Sequence, residues 1–363
     1  MRALVLVALA GCFNPDPEPN QPCTDWCPPP ESCVAGTCRA DTGDGPNFAF
    51  VTSERRQLHL ETPFSLDEWC RDLAREARMS GEYIAWISTT QAPVRMRLQA
   101  LAARGWVRPD GKPFADTVDD VFAGTTHYPL RIADDGSDVG ALDELVVTGT
   151  EANGNASTNT CGDFMSATPT TPVTIGKADA GQVSWTALGA DDCGKGAHVY
   201  CFGISRSVAV EIAPLGVSQK RAFVTKNTYT KRPPTDADQI CNTEVGGGTK
   251  YLALVATLNQ SVEDRFTGTV GPWFRNDGVL LTEDMRTFAA PLEVSHDGSR
   301  IRGDVWFGAA TLRERGSADR NCNDWTTGAM MRSGETTRSS GTAPFDRADG
   351  SCSGEYHYYC AER

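Results

Sequence analysis

Cys161-Gly162-Asp163-Phe164 and Cys322-Asn323-Asp324-Trp325 are two writings of one pattern. Each is followed by a lone cysteine and then by His-x-Tyr-Cys, at His198 to Cys201 and at His357 to Cys360. Cysteines 70, 161, 193 and 201 are spaced by 91, 32 and 8 residues, and cysteines 241, 322, 352 and 360 by 81, 30 and 8. The match continues outward. Phe50-Val51-Thr52 recurs as Phe223-Val224-Thr225, and Tyr83-Ile84-Ala85-Trp86-Ile87-Ser88-Thr89 as Tyr251-Leu252-Ala253-Leu254-Val255-Ala256-Thr257. Trp106-Val107-Arg108-Pro109-Asp110-Gly111 recurs as Trp273-Phe274-Arg275-Asn276-Asp277-Gly278, and Pro129-Leu130 with Asp135-Gly136 as Pro291-Leu292 with Asp297-Gly298. The same motifs in the same order, with an offset that shortens slowly along the chain, are the mark of a repeated unit, so one domain of about 150 residues is expected twice. The copies fall at 47–203 and 221–363, with a linker at 204–220.

Within a copy the spacing of apolar residues predicts few helices. Ser65 and Glu68 suit a capping box, and Leu66, Trp69, Cys70, Leu73 and Ala77 recur at helical spacing, which predicts a helix to about Arg78 with Cys70 on its inner face. The second copy predicts a shorter helix, opened by Thr235 and Asp238 and stopped by Gly246 to Gly248. Val94 with Leu98, and Val262 with Phe266, suggest a second short helix in each copy. Phe48 to Thr52, Tyr83 to Ser88, Val305 to Phe307 and Tyr356 to Cys360 read as strands. Helices first and short strands in long loops afterwards is an α+β pattern.

The chain has 363 residues, room for two cores of ordinary size. Its 34 Lys and Arg against 47 Asp and Glu give a net charge of −13, which disfavours a sequence-independent grip on nucleic acid or anionic headgroups. Thirteen cysteines point to an oxidising compartment. Behind Arg2, residues 3 to 10 form an apolar run too short to span a bilayer and of the size of a signal-peptide core. It ends in Leu9-Ala10-Gly11-Cys12, which resembles the bacterial lipobox. That resemblance implies removal of residues 1–11 and lipidation of Cys12; the plainer alternative is a secretory signal that happens to contain cysteine. Phe13, where an Asp would retain the protein at the inner membrane, implies a lipid-anchored place in the cell envelope, at the outer membrane or cell surface.

Residues 12–46 then read as a tether, since seven of the 21 prolines fall between 15 and 30 and hold the chain extended. Cys23, Cys27, Cys33 and Cys38 are separated by three, five and four residues. A four-thiolate zinc site uses C-x2-C pairs, so a knot of two disulfides among these four is the better assignment. Asp41 to Pro46 is a breaker cluster that closes the tether. The remaining eight cysteines divide four to a copy, and spacing alone leaves three pairings in each.

The run Phe-Val-Thr, an Asp-x-x-Cys helix, Tyr-x-Ala-Trp-Ile-Ser, Gly-Trp-x-Arg-x-Asp-Gly, Cys-x-Asp-Trp and a final Tyr-Cys resembles a bacterial domain of unknown function found in exported lipoproteins. That domain is similar to the collagen endostatin module and the C-type lectin-like fold. The resemblance covers both copies and implies two tandem lectin-like domains. It also implies nested disulfides, Cys70–Cys201 around Cys161–Cys193 and Cys241–Cys360 around Cys322–Cys352. The sugar-binding lectins of this fold hold calcium with Glu-Pro-Asn or Gln-Pro-Asp plus Trp-Asn-Asp, because a hard cation needs several oxygens. Neither copy carries that set. The only Glu-Pro-Asn is Glu18-Pro19-Asn20 in the tether, and Asp134, Asp135 and Asp138 fit a solvated turn better than a calcium loop. No cofactor is expected, with calcium the one weak candidate. Endostatin's affinity for heparin rests on a basic face, which a chain of this charge does not suggest.

Matched ionisable residues are Arg108 with Arg275, Asp110 with Asp277, Asp163 with Asp324, and His198 with His357. A His and an Asp per copy are the minimum for acid–base work. Each also has a structural reading: the His precedes a cysteine on a strand, and Arg with Asp around a turn holds a loop. There is no G-x-S-x-G, H-E-x-x-H or P-loop. Trp106 and Trp273 read as core rather than as sugar-stacking platforms. The expectation is a surface-tethered, non-catalytic protein whose partners are the membrane, through its lipid alone, and an extracellular glycan or protein; nucleic acid is not among them. The alternative is a cell-envelope hydrolase using the Asp and His of one copy. Ligand contacts are expected where the copies diverge, at Lys112 to His127 against Val279 to Ala290 and at Met165 to Gly181 against Thr326 to Ala343.

Overall fold

A computed structural model describes residues 32–34, 37–39, 43–142, 145–326, 333–338 and 347–363. The signal segment, Cys12, Glu18 to Asn20, Cys23 and Cys27 lie outside the described residues, as do 327–332 and 339–343 of the second divergent loop and 344–346 after it. In the tether, β1 (Ser32–Val34) and β2 (Thr37–Arg39) pair antiparallel and set Cys33 opposite Cys38 in register.

The first half follows with β3 (Asn47–Val51), α1 (Pro63–Glu76), β4 (Tyr83–Ala85), α2 (Val94–Gln99), β5 (Trp106–Val107), β6 (Pro113–Ala115) and α3 (Val118–Ala123). It ends with β7 (Leu145–Val147), β8 (Pro172–Lys177), β9 (Gly189–Asp192) and β10 (Tyr200–Gly203). The second half begins with β11 (Lys220–Val224), β12 (Tyr229–Thr230), α4 (Pro234–Glu244), β13 (Tyr251–Ala253), α5 (Val262–Arg265), β14 (Trp273–Arg275) and β15 (Leu280–Thr282). It continues with β16 (Asp304–Trp306), β17 (Ser333–Arg338), β18 (Arg347–Ser351) and β19 (Glu355–Glu362). The mixed α+β content agrees with the sequence. The first sheet runs β4-β10-β3-β5-β6, and the path β13-β19-β11-β14-β15 repeats that order in the second. A separate β7-β8-β9 sheet has no described counterpart; instead β16, β17 and β18 extend the second sheet.

Strand alternation divides the core. Phe48 and Phe50 of β3 face the cluster built on Leu66, Trp69 and Leu73 of α1, while Ala49 and Val51 face the cluster around Trp86, Trp106 and Trp185. Trp106 and Trp273 are both core residues, 0% and 1% exposed. The cap of α1 differs from the expected one. Thr62, not Ser65, is the N-cap, with Pro63 in the first turn and Ser65 returning the capping bond, and the helix stops at Glu76. In α4 no side chain caps the start at Pro233, and Asp238 instead accepts from Ala253 N–H at 2.7 Å and Arg265 Nη2 at 2.7 Å. The strand expected to reach Ser88 ends as β4 at Ala85, beyond which Trp86 N–H still donates to Tyr200 O at 2.8 Å.

Among the described residues four disulfides join Cys70 to Cys201, Cys161 to Cys193, Cys241 to Cys360 and Cys322 to Cys352. These are the pairs the resemblance implies. The outer ones tie α1 to β10 and α4 to β19. Each inner one is rooted in a left-handed turn. Cys161, Gly162, Asp163 and Phe164 have φ of 56°, 61°, 58° and 63°, and Cys322 to Trp325 have 55°, 55°, 55° and 67°. Such backbone costs about 1 to 2 kcal/mol per residue with a side chain, so the turn depends on what clamps it.

The halves also touch. Gln182 Nε2 donates to Ile301 O at 2.7 Å, Arg302 Nε donates to Gln182 Oε1 at 2.9 Å, and Tyr128 Oη accepts from Leu280 N–H at 3.0 Å. Behind these lies Glu293, fully buried, 3.7 Å from Arg275 and ion-paired with Arg300. Burial pushes Glu293 up to about 7 against the pull of Arg300 and Arg275. Burial, with Arg275 beside it, brings His127 down to about 4.

On loop-closure entropy the bridges spanning 131 and 119 residues restrict the unfolded chain by about 5 kcal/mol each, and those spanning 32 and 30 by about 3.7. Cys70→Ser with Cys201→Ser is therefore expected to cost more than Cys161→Ser with Cys193→Ser, measured by urea unfolding. The seam gives a pH signature of opposed signs. Glu293, with its folded pKa raised, contributes stability that is present below about pH 4.5 and lost as pH rises through 7. His127, with its folded pKa lowered, contributes stability that is present above 6.5 and lost as pH falls through 4. Glu293→Gln should abolish the loss of thermal stability on raising pH from about 5 to 8 and leave the acid-side loss in place.

Candidate functional site

The matched polar residues occupy three stations in each half. Arg108 Nε donates to Asp110 Oδ1 at 2.9 Å, its Nη2 pairs with Asp110 Oδ2, and its Nη1 donates to Pro129 O at 3.0 Å. Arg275 repeats this with Asp277 at 3.0 and 2.6 Å and Pro291 O at 2.9 Å. Burial pushes both carboxyls up, but the arginines outweigh it and hold Asp110 and Asp277 below the ordinary range. Both arginines are buried, so each pair is a planar fork locking the turn after a β-strand to a proline loop.

Asp163 and Asp324 sit in the left-handed turns. Asp163 accepts from Thr90 N–H at 2.8 Å and from the Thr90 hydroxyl, and Asp324 Oδ1 accepts from the matched Leu258 N–H at 2.9 Å. Partial burial raises the Asp163 carboxyl, and the hydrogen bonds from Thr90 outweigh it and lower it overall. His198 Nδ1 meets Thr52 O at 2.6 Å, and His357 Nδ1 meets Thr225 O at 2.8 Å. The threonine hydroxyls accept in return from Val199 and Tyr358 N–H at 3.2 and 2.9 Å. Arg comes together with Asp in each half, and His with Thr; the sets serve turns, loops and strand ends.

The acidic trio disperses. Asp134 accepts from Ser53 N–H and hydroxyl at 2.7 and 2.9 Å, Asp135 from Ser137 N–H at 2.9 Å, and Asp138 pairs with Arg131 at 2.7 Å. Among the described residues no group of three His, Cys, Asp or Glu side chains is placed to hold a metal ion.

The divergent segments prove partly structured. Met165 to Gly181 carries β8, and Lys112 to His127 carries β6 and α3. A cleft of about 170 Å³ opens beside Cys193, floored by Leu145, Val147 and Ile175 and rimmed by Arg55, Asp191, Asp192 and Lys195. Arg55 is fixed on Gly196 O at 2.9 and 2.6 Å, and Lys195 on Asp191 at 2.5 Å. Hydrogen bonds from Lys195 and from Asp192 N–H hold Asp191 below the ordinary carboxylate range. None of these rim residues belongs to a matched motif; only the place of Asp191 to Lys195 around Cys193 could have drawn attention to them. No protein-family model matches the chain, and no curated protein matches it in sequence.

Replacing His198 by Leu would strand the buried Thr52 carbonyl, and an unpaired buried acceptor costs about 1 to 3 kcal/mol. Urea melts of His198→Leu and His357→Leu should both show a loss of that size; a loss near zero contradicts the bracing role.

Proposed function

We propose that this is a lipid-anchored, non-catalytic binding protein of the bacterial cell envelope, in which two C-type lectin-like domains present clefts to an extracellular glycan or protein. One observation carries the reading. The matched polar side chains, which an enzyme would keep available, are engaged in holding turns and strand ends, while an apolar floor has a charged rim that includes Asp191, Asp192 and Lys195, which flank Cys193 in the sequence. Recognition favours loops held by a rigid frame, since a staple removes in advance part of the ordering cost of binding. The repeated strand order and the nested disulfides support the lectin-like reading. The lipobox-like Leu9 to Cys12 supports the anchor. This reading uses no calcium.

Two experiments test it. Cys12→Ala should move the protein from the detergent phase to the soluble fraction with a shifted amino-terminal mass; retention in detergent sinks the anchor. On arrays of envelope glycans and proteins, the full chain should bind with or without chelator, and Asp192→Ala should weaken the signal about tenfold, as expected for a lost charged contact of about 1.4 kcal/mol. Turnover of envelope polymer that disappears in His198→Gln would favour the hydrolase instead.

A further inference from the structure

A second cleft, of about 410 Å³, lies in the other half, between the end of α4 and the start of β13. Its lining includes Arg221, Lys250, Tyr251, His296 and Glu362, with Gly247 and Gly248 on one side. That volume falls in the range of small-molecule sites. Glu362 accepts from Arg221 N–H at 3.4 Å and lies 3.9 Å from Lys250, but three other side chains are unspent. The Arg221 guanidinium, the Tyr251 hydroxyl and the His296 ring nitrogens have no hydrogen-bond or ion-pair partner among the described residues. Tyr251 is only 8% exposed, its ring packed on Phe223 at 5.3 Å, yet Glu362 and Arg221 both act electrostatically on its hydroxyl. His296 also packs on Phe223, at 5.6 Å. The Tyr251 hydroxyl reaches the open cleft without a partner among the described residues, which leaves hydrogen-bonding capacity for something else.

The first half keeps the tyrosine, as Tyr83, but not the groups around it. Arg221 corresponds to Phe48, which is buried with the Arg206 guanidinium 5.8 Å from its ring. His296 corresponds to Asp134, spent on Ser53, and Glu362 to Gly203. The glycines at 246 to 248 have φ of 92°, 108° and 111°, and no protein atom lies within 4 Å of where their Cβ atoms would be, so backbone there is open to a ligand.

We propose that this cleft binds a small hydroxylated carboxylate, its carboxylate on the Arg221 fork and its hydroxyls on Tyr251 and Glu362. Arginine is suited to planar, two-pronged recognition of a carboxylate. Two cations and one carboxylate leave the lining one positive charge in excess, which matches a monoanion better than a phosphate of about −1.5 to −2. Glu362, 3.9 Å from Lys250, keeps acceptor capacity for hydroxyl donors. A free sugar acid and the acidic end of a glycan share this chemistry.

The proposal rests on the reading of the chain as a binding protein, but not on the cleft beside Cys193. Calorimetry on the full chain with D-glucuronate, its methyl ester, D-glucose and a glucuronate-terminated disaccharide tests it. Glucuronate or the disaccharide should bind, whichever is tighter naming the source, with ester and glucose about tenfold weaker or worse. Arg221→Gln should cost a further tenfold or so and Tyr251→Phe a smaller factor, with thermal midpoints unchanged, while Asp192→Ala leaves this binding alone. Equal binding of glucose and glucuronate, no saturation of either acid by about 10 mM, or an unaffected Arg221→Gln overturns the assignment. If envelope ligands still bind through Asp192 in that case, only the second cleft has failed.

Discussion

Each half of the molecule hangs on its last strand. β10 lies between β3 and β4, and β19 pairs with β11, β12, β13 and β16. The first strand of each half pairs on one side with the last, well over a hundred residues later, and closing so long a loop carries an entropy cost that grows slowly with length. The outer disulfide acts at that same strand: Cys201 and Cys360 sit in its middle, opposite Phe50 and Phe223. The His–Thr brace fastens the strand's near end to the end of β3 or β11. Once the strand is in place, α1 or α4 is held against one face by a covalent bond, and the rest can be irregular without losing its frame.

That arrangement separates side chains that build from side chains that remain available. The buried Arg–Asp forks are satisfied by their own neighbours and the carboxylates of the left-handed turns are bonded to Thr90 and Leu258, and a satisfied buried polar group stabilises a unique geometry rather than a ligand. At the cleft of the second half the balance is reversed. Its polar groups stand at positions where the first half has Phe48, Gly203 and an Asp134 bonded to Ser53, so the two halves share a strand order and differ in the side chains it presents.

Apolar spacing, cysteine spacing and the aromatic motifs made α1, α2, α4, α5, the central strands and the core positions of Trp106 and Trp273 legible, because those residues are placed by burial, while α3 lay inside a segment read as a divergent loop. Other features left a weaker trace. Thr62 and Ser65 both suit an N-cap, and only Pro63, fit for a first helical turn, tells them apart. The left-handed turns are hinted at by Gly162, Asn323 and the aspartates at 163 and 324, residues tolerant of that backbone, but Cys, Phe and Trp carry no such preference. The cleft residues 221, 251, 296 and 362 are brought together by the sheet and by a loop far along the chain, and nothing in their types distinguishes a spent side chain from an unspent one.

The seam between the halves explains a difference that alignment alone shows without interpreting. Arg131 and Asp138 in the first half correspond to Glu293 and Arg300 in the second, the same pair with its charges exchanged. In the first half the pair keeps contact with water, and either polarity is tolerated because solvent screens it. In the second half the position beside the Arg275 fork is sealed by the other half: Arg275 also donates toward Thr126 and His127 carbonyls at 3.4 Å, and a Cβ at Gly181 would lie 2.9 Å from Glu293 Oε2. An arginine at 293 would place a third guanidinium near Arg275 and Arg300 without water, at a cost several times that of an exposed like-charge contact. A carboxylate there meets two cations instead. The reversed polarity thus follows from which face of the repeat is covered, and Gly181 has no side chain because Glu293 and the Pro291 ring occupy the space.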